Sequence, residues 1–171
     1  LQNYGGHTGW SRAWAACLWA AFGEGEKAYE CLENLIAHQS SDSLLDLHPP
    51  KLFQIDGNFG AAAATLEMLL KTENGIMIFL PALPPEFRDG AIQKFHVRGG
   101  FVVNFSWENG LLREAEIIPQ QNSCCSIKAP GENYAVFYQN NIIARFDNAE
   151  RIASFPSEPG EKYYIRAVIT Q

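Results

Sequence analysis

The feature that most constrains this chain is a change in its hydrophobic period, placed at the dipeptide Asn74-Gly75. Before it, apolar residues recur every third or fourth position, the spacing that lines one face of a helix. After it they alternate, the spacing of a half-buried strand. Ala13, Trp14, Cys17, Leu18 and Ala21 predict a first helix over 11–22, with Thr8 or Ser11 able to cap it and Gly23 able to end it. Ala28, Leu32, Leu35 and Ile36 predict a second helix over 26–38. A third is expected from about Gly60 to Lys71, packed through Leu66, Leu70 and the Ala61–Ala64 run, because Ala permits close helix approach and is the best helix former.

Beyond Asn74-Gly75, Phe101, Val103, Phe105 and Trp107 alternate with Val102, Asn104 and Ser106. Asn109-Gly110, which favours the positive φ values of a type I′ turn, then separates that strand from one over 111–118. Further strands are predicted at 76–80, 92–98, 134–138, 142–146 and 163–169. Segregated helical and strand blocks mean an α+β chain or two subdomains, and not an alternating parallel fold. The division expected is a helical part over 1–74 and an antiparallel β-domain over 75–171.

Composition narrows the functional classes. With 47% hydrophobic and 19% charged residues in 171, the chain has the makings of a globular core. No apolar run approaches the roughly 18 residues of a membrane-spanning helix, so no membrane association is expected. A net charge of −6 with scattered Lys and Arg argues against nucleic acid as a partner and favours a neutral or polar small substrate. The four cysteines form no Cys-x-x-Cys pair, and no metal or other cofactor is expected. Cys17 and Cys31 read as small buried hydrophobes, while neighbours Cys124 and Cys125 would point to opposite faces of a strand. The chain opens without Met, directly in an aromatic and glycine motif, and reads as an internal piece of a longer protein; its compartment stays open.

Two stretches concentrate chemistry. His48-Pro49-Pro50-Lys51-Leu52-Phe53-Gln54-Ile55-Asp56-Gly57-Asn58 sets His48, Gln54, Asp56 and Asn58 in a Pro- and Gly-shaped loop running into a helix, where catalytic groups commonly sit. Asp56 has two readings: a helix cap or Asx-turn, or a functional carboxylate. The opening Gly5-Gly6-His7-Thr8-Gly9-Trp10-Ser11-Arg12-Ala13-Trp14 combines glycines that admit a ligand with Trp faces that stack on sugars. Alternatively, Trp10 and Trp14 are core residues of one helix face, and His7 merely satisfies a loop.

The succession Gly-His-Thr-Gly-Trp-Ser-Arg-Ala-Trp, His-Pro-Pro…Phe-Gln-Ile-Asp-Gly-Asn-Phe-Gly, Leu80-Pro81-Ala82-Leu83-Pro84 and Arg98-Gly99-Gly100-Phe101 resembles glycoside hydrolase family 95, the α-L-fucosidase class. The blocks occur in the family's order. The resemblance implies the terminal helices of an (α/α)6 barrel followed by a β-domain. It also implies an enzyme that removes terminal α-L-fucosyl or α-L-galactosyl residues from oligosaccharides or glycoconjugates with inversion. One carboxylic acid then protonates the leaving oxygen while a base activates water on the opposite face. In this family the acid is a Glu, and an asparagine pair assisted by an Asp positions the water. That Asp matches Asp56, and a sugar-binding His matches His48; Asn58, Gln54, His7 and Trp10 join them as candidate substrate-binding residues.

This chain departs from the family pattern where Lys51 and Leu52 lie between the Pro pair and Phe53. The family's Glu acid and asparagine pair have no counterpart here. The remainder of the barrel is therefore an expected partner, and the chain alone is expected to be inactive. Two other readings stand beside this one: a non-catalytic carbohydrate-binding or structural module, and another (α/α)6 glycosidase such as a rhamnosidase.

Overall fold

A computed structural model describes residues 6–129, 131, 133–147 and 149–168. The chain is α+β and forms two compact units, 1–69 with 81–85, and 70–80 with 86–171.

The first unit is built on three helices, α1 (Gly9–Ala21), α2 (Gly25–Gln39) and α3 (Ile55–Leu69). Thr8 caps α1: its hydroxyl accepts the Ser11 N–H, and Ser11 returns the bond in a capping box. The stripe expected on α2 is partly as read, with Ala28, Leu32 and Leu35 buried beside Cys31, but Ile36 is exposed. The third helix differs more from expectation. It begins at Ile55 and ends at Leu69, so Leu70 and Lys71 belong to a strand. Its buried residues are Gly57, Ala64, Met68 and Leu69, whereas Leu66, Ala62 and Ala63 are exposed. Between α2 and α3, β1 (Leu47–His48) pairs with β2 (Leu52–Phe53) in a short hairpin around the cis Pro49-Pro50 bond.

Large apolar side chains stay uncovered on this unit. Trp10 and Trp14, four apart on α1, are exposed, and so are Ile55, Phe59 and Leu66 on α3. The core reading of the two tryptophans therefore fails. Helical spacing marked a genuine stripe, but among the described residues that stripe has no neighbouring element on it.

The second unit is a two-sheet sandwich. Strands β3 (Leu70–Glu73), β4 (Ile76–Phe79), β8 (Ser123–Lys128) and β11 (Ile152–Ser157) form one sheet in the order β11-β8-β4-β3. The other runs β10 (Asn141–Arg145), β9 (Tyr134–Tyr138), β12 (Tyr163–Ala167), β7 (Leu111–Pro119), β6 (Phe101–Glu108) and β5 (Gly90–Val97). The sheets face each other through Phe79 against Phe105 (ring centroids 5.3 Å) and Phe155 against Tyr163 (5.0 Å). Pairing is antiparallel throughout the larger sheet; in the smaller one β4 and β8 run parallel, a departure from a purely antiparallel domain. Positive φ at Asn74, Gly75, Asn109 and Gly110 gives both Asn-Gly hairpins their turns. The strands at 70–73, 123–128 and 152–157 went unread in the sequence, and the expected end of the last strand at residue 169 lies outside the described residues. Within β8 the two cysteines part as the pleat requires: Cys124 is exposed, and burial pushes the Cys125 thiol up to about 12.

Among the described residues no helix is long and apolar enough to cross a membrane, and no group of three His, Cys, Asp or Glu side chains could hold a metal ion.

Candidate active-site loop

The loop from Leu44 to Asn58 carries most of the candidate residues, and its organiser is a residue the sequence reading passed over. Asp46 is wholly buried. Its carboxylate accepts the Gly57 N–H at 3.1 Å, its own N–H donates to Asn58 Oδ1 at 2.9 Å, and its carbonyl accepts the Gln54 N–H at 3.0 Å. One residue thus fastens the segment on both sides of Asp56. The Asp46 carboxylate also lies over Gly9 and Gly57, each near the N-terminus of a helix, where a Cβ on either glycine would collide with it. Burial pushes its pKa up. The Gly57 and Leu47 N–H groups pull it down, the Asp56 charge adds to the rise, and His48 opposes it. The available signal was a lone acid inside the apolar stretch Leu44–Pro50.

Asp56 itself is the second residue of α3, exposed, and makes no side-chain hydrogen bond among the described residues. The capping explanation requires it to precede the helix, and it does not. Its carboxylate sits in the first turn, where the helix dipole favours negative charge. Asn58 is engaged at both ends of its amide, since its Nδ2 also donates to the Leu44 carbonyl at 2.7 Å. Gln54 is half-buried, with Oε1 buried and without a hydrogen-bond partner among the described residues.

His48 lies on β1, half-buried, its Nδ1 at 2.7 Å from the Pro49 carbonyl. A carbonyl can only accept, so Nδ1 is the donor in this contact, and Nε2 takes no part in it. A cavity of about 670 Å³ brings His48 together with His7, along with His38, Asp42, Pro50 and Lys51. Asp56, Asn58, Gln54 and Trp10 are not among its lining residues. His7 is set by the turn before α1, where the Gly6 carbonyl accepts from both Arg12 Nη2 and Gln39 Nε2 at 2.7 Å. Trp10 is 43% exposed on the first turn of α1. The structure thus brings His7 and His48 to one cavity and leaves the exposed Asp56 carboxylate and the exposed Trp10 ring outside its lining.

Residues 2–69 match the glycosyl hydrolase family 95 catalytic domain, and residues 71–165 match the glycoside hydrolase family 95 C-terminal domain. The chain belongs to glycoside hydrolase family 95. Among curated relatives, Alpha-L-fucosidase 2 of Arabidopsis thaliana is 34% identical over 66% of this chain and 15% of its own length. Probable alpha-fucosidase A of Aspergillus niger is 31% identical over 60% and 14%, and that of Aspergillus oryzae 32% over 64% and 17%. The chain therefore spans about a sixth of the relatives it matches. A solved GH127 β-L-arabinofuranosidase from Geobacillus stearothermophilus aligns with TM-score 0.37 and 10% identity, over 67% of this chain and 19% of that one, too distant to inform the fold.

Proposed function

We propose that this family 95 chain is part of an inverting exo-glycosidase that removes terminal α-L-fucosyl, or α-L-galactosyl, residues from oligosaccharides. The carrying observation is that His7 and His48, distant in sequence, line one cavity in a chain whose catalytic-domain match covers both. Its curated relatives bear alpha-fucosidase names.

In this reading the His7–His48 cavity holds part of the substrate, and Asp56 and Trp10, which do not line it, act from outside it. His48 Nε2 accepts a hydrogen bond from a sugar hydroxyl, because Nδ1 donates to the Pro49 carbonyl. Trp10 offers its exposed face to the apolar side of the pyranose. Asp56 is the carboxylate that assists water activation. Its negative charge, unspent on any side-chain hydrogen bond among the described residues, strengthens a neighbouring amide as a proton acceptor, and the amide takes a proton from the attacking water. Asn58 and Gln54 serve the site through the loop, because the Asn58 amide and the Gln54 N–H tie it to residues 44–46. The proton donor and the asparagine pair belong to the longer protein. The uncovered stripes on α1 and α3 support packing against further helices of an (α/α)6 barrel.

The test is a panel of aryl α-L-fucoside, α-L-galactoside and α-L-rhamnoside with the longer protein, following the released anomer by NMR. Hydrolysis of the fucoside or galactoside with inversion, and none by the 171-residue chain alone, is expected. Retention, preference for rhamnoside or turnover by the isolated chain would contradict the reading.

A further inference from the structure

The most unusual group in the first unit is the Asp46 carboxylate. A buried carboxylate costs several kcal/mol unless its oxygens are well bonded. Asp46 is wholly buried; its Oδ2 accepts the Gly57 N–H at 3.1 Å, yet among the described residues Oδ1 has no hydrogen-bond partner. Filling space between two helices would be done more cheaply by an apolar residue, and two glycines would then be unnecessary. Instead Gly9 and Gly57 both surrender their side-chain space to this carboxylate. The bonds Asp46 makes fall on residues 54, 57 and 58, on either side of Asp56.

We propose that Asp46 is a positioning residue for Asp56, locking the first turn of α3 against the N-terminal turn of α1 and so fixing where the Asp56 carboxylate projects. The proposal rests on the catalytic reading of Asp56 given above. Reacting groups must be placed to a fraction of an ångström, and a displacement of about 1 Å costs on the order of 10²-fold in rate. Asp56 has no side-chain hydrogen bond of its own among the described residues, so the backbone that carries it must supply the precision. Asp46 holds that segment at three points, its carboxylate on the Gly57 N–H, its carbonyl on the Gln54 N–H and its N–H on the Asn58 side chain.

The glycine contact separates positioning from packing. In Asp46→Ala the carboxylate leaves a space, and in Asp46→Ala combined with Gly57→Ala the new Cβ fills it. The experiment measures kcat, KM and Tm on an aryl α-L-fucoside in the longer protein for Asp46→Asn, Asp46→Ala, Gly57→Ala and the double variant, beside Asp56→Asn. Asp46→Asn keeps an acceptor for the Gly57 N–H and should hold kcat within about tenfold of the parent, which is rescue by the conservative variant. Asp46→Ala should lower kcat by about 10- to 100-fold with KM changed less than about threefold, because misplacing the reacting group acts on the transition state more than on sugar binding. The double variant should recover Tm while kcat stays low. If kcat per folded molecule is normal in Asp46→Ala, or returns with Tm in the double variant, Asp46 only packs and the inference is overturned. Should Asp46→Ala fail to fold, the double variant and Asp46→Asn carry the same comparison. A normal rate for Asp56→Asn would instead remove the catalytic reading beneath it, a different result from a slow Asp56→Asn beside a fast Asp46→Ala.

Discussion

Replacing Gly60 by Ala tests how closely α1 and α3 approach. In an ordinary helix interior the change stabilises by about 1 kcal/mol, the difference in helix propensity. Here the added Cβ would stand 2.8 Å from the Cβ of Ala13, itself 1% exposed. The same spot is crossed by the Cys17 thiol, which donates to the Gly60 carbonyl at 3.4 Å. Overpacking a tight contact costs about 1–3 kcal/mol. The two effects leave Gly60→Ala destabilising by roughly 0–2 kcal/mol, the reverse of its sign in a free helix. Ala13→Gly alone should cost about 1 kcal/mol through propensity, but combined with Gly60→Ala it returns the space the new methyl needs. A double-mutant cycle by urea denaturation, read in far-UV circular dichroism, should give a favourable coupling of about 1–3 kcal/mol. A Gly60→Ala variant stabilised by the full propensity gain, with coupling below about 0.5 kcal/mol, would refute the close approach.

Other outcomes follow from the second unit and from the uncovered helices. Burial alone would raise the Glu116 pKa, but Lys162, Tyr164 and Asn104 all donate to its carboxylate and together hold it below the usual 4.5. A depressed folded pKa contributes stability above the unfolded value and loses it as pH falls through the folded one. Glu116→Gln should therefore cost about 1–2 kcal/mol at pH 7, with the deficit shrinking below about pH 4.5; an equal deficit at pH 3 would contradict this. Tyr134→Phe removes a buried bond of 2.6 Å to the Leu112 carbonyl and should lower stability by about 1–3 kcal/mol with the denaturant slope unchanged. The 171-residue chain should bind a hydrophobic dye and self-associate through Trp10, Trp14 and Phe59, and replacing both tryptophans by Ser should weaken this; a monodisperse, dye-free monomer by sedimentation velocity would count against it.

Periodicity was a good guide wherever burial was one-sided. Phe101, Val103, Phe105 and Trp107 alternate because one face of β6 meets the opposite sheet, and the strand ends within a residue of its expected limit. The guide failed at Leu70–Glu73, where a helical stripe runs directly into a strand and Leu70 fits both patterns. It failed again at Ser123–Lys128 and Ile152–Ser157, whose polar composition masks strands held by pairing to each other. In the candidate loop, His48 and Asp56 stood out in the sequence because their residue types announce chemistry. Asp46 was not, because its role depends on two glycines, Gly9 and Gly57, that only the fold brings to it. Asn58 shows the converse: an amide in a catalytic-looking motif whose bonds are directed to the loop itself.

The central claim is that the free carboxylate of Asp56 takes part in catalysis, and Asp56→Asn in the longer protein tests it most directly. Because Asp56 lies inside the first turn of α3 and makes no side-chain hydrogen bond among the described residues, the substitution should leave the fold and Tm nearly unchanged. Only the charge is lost. The account predicts kcat/KM on an aryl α-L-fucoside lower by about 10²-fold or more, with fucose still bound. A stable variant hydrolysing the fucoside at close to the parent rate would contradict it.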